Sequence, residues 1–86
     1  MNKLFYLEVY LFLRNKKDFE LYESLYSTLW DKKISVDSIG FETELHQVID
    51  DLVGLGYINK NYKGKSLMLK MTAKGLKEFP KFSETL

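Results

Sequence analysis

The chain has 86 residues, room for one domain. Hydrophobic residues make up 45%, aromatics 15% and charged residues 29%, which excludes a disordered chain. Cysteine is absent and the net charge is only +1, which excludes a disulfide scaffold, a thiolate metal site and a Cys nucleophile and leaves the overall charge silent about partners.

The first element spans Asn2 to about Asn15. Leu4, Leu7, Tyr10 and Leu11 follow a helical stripe, while Phe5, Val9, Phe12 and Leu13 cover the other sides. A β-strand is the competing reading, because Phe, Tyr, Val and Leu also suit strands. The apolar run Leu4–Leu13 carries Glu8 in its middle and is about half the length of a membrane-spanning helix. No small-residue cleavage site follows in Arg14-Asn15-Lys16-Lys17, so a core or interface element is expected, with no membrane contact and a cytoplasmic location. A helix apolar all round is buried on more than one face. In so small a domain a second copy is expected to cover one side, with Leu4, Phe5, Val9, Phe12 and Leu13 at a homodimer interface.

Asp18 is placed to cap a second helix running to about Lys33. Tyr22, Leu25, Tyr26 and Leu29 recur at helical spacing, with Trp30 beside them. Ile34-Ser35-Val36-Asp37-Ser38 is a short connector with room for a residual strand at Ile34–Val36. The third helix, from Ser38 or Gly40 to Leu55, has the clearest periodicity: Phe41, Leu45, Val48, Ile49, Leu52 and Leu55. Gly56 suits its C-terminal stop. Tyr57–Tyr62 and Ser66–Met71 read as two strands joined at Lys63-Gly64-Lys65, a hairpin turn with Gly64 at positive φ. Thr72 caps a last short helix, Ala73–Phe79, which Pro80 ends, and 81–86 reads as a loose tail.

Charge is unevenly spread. Residues 1–17 carry a net +3, residues 18–58 a net −7 and residues 59–82 a net +6. Such asymmetry can steer a polyanion or an oppositely charged protein to one face, although lysines on strand edges also simply keep a domain soluble.

Two segments carry a resemblance. Leu45, Ile49 and Leu52 followed by Gly56-Tyr57-Ile58, and after a basic hairpin Leu69-Lys70-Met71-Thr72-Ala73-Lys74-Gly75, resemble the third-helix and wing-exit patterns of the winged helix-turn-helix superfamily. Small PadR-like and archaeal-virus regulators show this combination, and the likeness covers roughly residues 19–79. It implies an α+β, mostly α fold: a three-helix core, a two-stranded β-hairpin wing and a short C-terminal helix. It also implies double-stranded DNA as partner. The third helix would then offer Thr43, His46 and Gln47 to base edges. The wing would offer Lys60, Asn61, Lys63 and Lys65 to phosphates or the minor groove. The third helix departs from the family in lacking any Lys or Arg and carrying Glu42, Glu44, Asp50 and Asp51.

No other chemistry competes strongly. Glu42, His46 and Asp50 share a helical face, but one His among surface carboxylates is not a metal site. One His, no Cys and no Gly-rich phosphate loop imply no enzyme and no cofactor. Two functions remain. One is a homodimeric DNA-binding transcriptional regulator. The other is a protein-interaction module, such as a viral or mobile-element factor, that binds a host protein through its acidic middle.

Overall fold

A computed structural model describes residues 3–34 and 38–86. The element order is α1 (Lys3–Leu13), β1 (Glu20–Leu21), α2 (Tyr22–Asp31), α3 (Ser38–Gly54), β2 (Ile58–Lys63), β3 (Ser66–Met71) and α4 (Ala73–Glu84). The class is α+β and mostly helical, with one antiparallel sheet ordered β1-β3-β2.

Each helix turns its apolar stripe to one shared core. Phe5, Val9 and Leu13 of α1 meet Leu25 and Leu29 of α2 and the Phe41–Leu52 stripe of α3, all essentially inaccessible. Fully burying a side chain such as Phe5 or Leu29 stabilises by about 1.5–3 kcal/mol, so these few residues dominate. The sheet closes the other side with Ile58, Leu69 and Met71. Glu8 Oε2 accepts a bond of 2.7 Å from Lys32 Nζ, tying α1 to α2 at the surface.

Helix α3 ends in a Schellman arrangement. Gly56 N donates to Val53 O at 3.0 Å and Tyr57 N to Leu52 O at 2.9 Å. This turn delivers the chain straight into β2. The hairpin pairs Lys63 with Ser66, so its loop is Gly64-Lys65 alone. Gly64 takes φ +64° while Lys65 does not take a positive φ, the pattern of a type II′ turn whose twist matches the strands. Thr72 caps α4 as expected: its Oγ1 accepts from Gly75 N at 2.9 Å and donates to Gly56 O at 2.7 Å.

Five expectations are corrected. The sheet has three strands, because Glu20 and Leu21 pair with Leu69 and Met68. Asp18 therefore caps no helix; its Oδ1 accepts from Phe19 N at 2.8 Å, and α2 starts later, at Tyr22. Pro80 does not end α4, which runs on to Glu84. The missing amide leaves Leu76 O without its helical partner on an exposed side, where water can replace it. Aromatic packing holds the continuation: Phe79 stacks on Tyr10 at 4.5 Å, and Phe82 meets Tyr6 and Tyr57 edge-on at 5.8 and 5.7 Å. Residues 81–84 are thus helix rather than loose tail. Finally, Phe5, Val9 and Leu13 are sealed inside the chain's own core and present no surface to a second copy. Leu4 is 50% exposed and Leu11 41%, with Phe12 partly buried, so the outward stripe of α1 is narrower and differently placed. Of the suggested strand at Ile34–Val36, Ser35 and Val36 lie outside the described residues, and Ile34 packs partly buried on the core. Among the described residues, no helix is long and apolar enough to cross a membrane.

Candidate nucleic-acid interface

The hairpin is amphipathic by pleat. Ile58, buried, sets the inward face of β2, and alternation puts Lys60 and Tyr62 on that same side, toward α3. Asn59, Asn61 and Lys63 occupy the other side, opposite Lys70, Met68 and Ser66 across the ribbon. The wing residues expected to act together are therefore divided: Lys60 faces α3, Asn61 and Lys63 face away, and Lys65 sits in the turn. The Asn61 Oδ1 is occupied, accepting from Tyr62 N at 2.9 Å.

The exposed side of α3 is as the helical spacing predicts. Glu42, Thr43, His46, Gln47 and Asp50 are solvent-facing, while Phe41, Leu45, Val48 and Ile49 are buried. Its carboxylates are less concentrated than the sequence implies. Asp51 turns toward α1 and accepts from Tyr6 Oη at 2.8 Å. Asp50 Oδ1 lies 3.5 Å from Lys60 Nζ. Glu42 Oε1 lies 3.7 Å from His46 Nε2, and Glu44 is partly buried. What stays open is a short polar strip, Thr43-His46-Gln47, of which His46 shares a groove with the hairpin residues Tyr62, Lys65, Ser66 and Leu67.

The tip holds two free positive charges, and Arg14, Lys17, Lys33, Lys77 and Lys81 are exposed without ion pairs elsewhere among the described residues. Lys63 and Lys65 are exposed and form no ion pair among the described residues. Three lysines away from the tip lie against rings or a carboxylate. Lys70 Nζ lies 5.9 Å above the Phe19 ring and Lys74 Nζ 5.9 Å above Tyr57. Lys16 lies 4.0 Å from Glu20 and 5.2 Å above Phe12.

Two tyrosines near α3 gain roles that periodicity did not reveal. The Tyr22 ring stacks on His46 at 4.7 Å and 25°, fixing the imidazole plane. Tyr22 Oη is buried without a hydrogen-bond partner among the described residues. Burial raises its pKa, with Glu42 and Tyr26 adding to the shift. Tyr62 is 61% exposed at the edge of a groove of about 250 Å³ between the hairpin tip, the start of α2 and α3. The signal that could have pointed to it is register: an aromatic two residues beyond Lys60 must share its face.

Among the described residues, no group of three His, Cys, Asp or Glu side chains is arranged to hold a metal ion. No protein-family model, curated protein or solved structure matches the chain.

Proposed function

We propose that the chain is a winged-helix DNA-binding regulator whose hairpin makes the main phosphate contacts. The observation that carries this reading is the tip itself: two exposed lysines without ion pairs, held by a tight II′ turn beside the open Thr43-His46-Gln47 strip of α3. The element order α-β-α-α-β-β with an antiparallel hairpin supports the winged-helix assignment. Phosphate neutralisation supplies most non-specific affinity for duplex DNA, and rigid placement of cations makes it efficient. The polar strip of α3 can then add hydrogen bonds to base edges.

The homodimer belongs to this reading. Leu4 and Leu11, with Leu7 partly buried between them, give α1 an exposed apolar stripe opposite its core face. Pairing two copies there presents two tips to a two-fold symmetric site. The deciding experiment is titration of labelled duplex at low salt with wild type and with Lys63→Ala/Lys65→Ala. Binding that weakens about tenfold or more in the double variant supports the reading, and wild-type protein that binds no duplex overturns it.

A protein-interaction module is the second reading. It is favoured by one observation: Lys60, on the α3 side of the hairpin, lies 3.5 Å from Asp50 and is not left free for phosphate. A wild-type chain that ignores duplex DNA at low salt would favour it.

A further inference from the structure

The groove at the hairpin tip shares His46 and Lys65 with the surface proposed for duplex, and its other lining residues have no part in reading a closed duplex. Leu21 and Leu67 form apolar surface, the stacked Tyr22–His46 pair a flat wall, Tyr62 a second ring, and Lys65 a cationic rim. Its volume of about 250 Å³ falls below the range of roughly 300–1,000 Å³ for drug-sized ligands, which suits one flat ring. Two other concavities are worse matches for a polyanion: one holds Glu23 and Glu42, another Asp50 and Asp51, and neither has a cationic side chain in its lining. A third, between α1 and α2, has Lys16 and Lys32 in its lining but no exposed aromatic pair and both lysines already near carboxylates.

We propose that this groove binds one unpaired nucleobase of a DNA strand whose adjoining phosphate is held by Lys65 on the groove's rim. The inference rests on the DNA-binding reading above and names the substrate class more closely: duplex with an adjoining single-stranded stretch. Bases inside a duplex already stack on their neighbours, so a protein ring at the strand's edge reaches only a splayed base. Tyr62 is placed for that. It lies on the α3 side of the ribbon, across from Leu67, and is left 61% exposed by its own chain. Stacking on an aromatic face tolerates any base, while cations beside it track the backbone. Glu23 on the rim only accepts hydrogen bonds, so the favoured base carries an exocyclic amine. The Tyr22–His46 stack keeps the opposite wall in place before the base arrives.

The test compares a blunt duplex with the same duplex bearing a short oligo-dC tail. Wild type is expected to bind the tailed form about tenfold more tightly. Tyr62→Ala should erase that preference while leaving blunt-duplex affinity within about twofold. Tyr62→Phe, which keeps the ring, should retain it. Equal wild-type affinity for the two substrates overturns the groove assignment and leaves the lysine-tip reading intact, as does a preference that survives Tyr62→Ala. Binding to neither substrate overturns both. Tyr62 is surface-exposed, so circular dichroism of Tyr62→Ala should match wild type and separate loss of stacking from loss of fold.

Discussion

Lys60 Nζ lies 3.5 Å from Asp50 Oδ1, so a hairpin lysine covers one carboxylate of the helix that would otherwise repel a phosphate backbone. The pair is solvent-exposed, with side chains 35% and 66% accessible, so its worth to stability is under about 1 kcal/mol. Its effect on binding is larger in kind, because it decides which charges face the ligand. Asp50→Asn should free Lys60, remove a negative charge and tighten duplex binding by about two- to fivefold. Fluorescence anisotropy at low salt measures this. Unchanged affinity would mean that Asp50 does not face the DNA.

The lysines should be unequal. Each phosphate contact contributes about 0.9 to the slope of log affinity against log salt. Lys63→Ala/Lys65→Ala should therefore flatten that slope by about 2. Lys60→Ala should flatten it by less than about 1, because Lys60 already has Asp50. A larger loss from Lys60 than from the tip pair would reverse the assignment.

Gly75 is required by close approach and not by its backbone angles. A Cβ there would run into Tyr57 O and come within 2.6 Å of Met71 Sδ. Gly75→Ala should cost about 1–3 kcal/mol through overpacking, a fall in Tm of roughly 5–20 °C. A thermal melt within about 2 °C of wild type would show that α4 can shift outward without loss.

Thr72 joins two elements through one hydroxyl, bonded to Gly75 N at the start of α4 and to Gly56 O after α3. Thr72→Ala should destabilise by about 1–2 kcal/mol, and Thr72→Ser should recover most of it. Urea unfolding reads both. Equal losses for Ala and Ser would place the effect in the methyl group's packing.

Tyr6 makes stability sensitive to alkali. Burial foremost, then the hydrogen bond to Asp51 and the charges of Asp51 and Glu44, push its phenol from 10.0 up to about 12. Between those values the folded chain keeps a proton that the unfolded chain has lost. The stabilisation is full below pH 10 and is lost as pH rises through about 12. Tyr22 shifts in the same direction. Tyr6→Phe should therefore show a shallower alkaline decline than wild type in pH-dependent urea melts, not a flat one.

Features carried by neighbours in sequence were legible from the residues. The apolar spacing of α3, the Gly64 turn, the Thr72 cap and the exposed Thr43-His46-Gln47 strip all follow from local periodicity and backbone preference. Three features needed partners from far along the chain. Glu20–Leu21 is a strand only because β3 offers an edge. Helix α4 passes Pro80 because Tyr6, Tyr10 and Tyr57 wait for Phe79 and Phe82. Lys60 and Asp50 meet because the Gly56 turn folds the hairpin back beside α3. Composition and spacing thus determined that these helices and turns form and which charges exist, though not where α2 begins or α4 ends. Tertiary packing alone decided which of those charges cancel and which α1 side chains face water. Burial and ion pairing depend on distances across the fold, which no local pattern encodes.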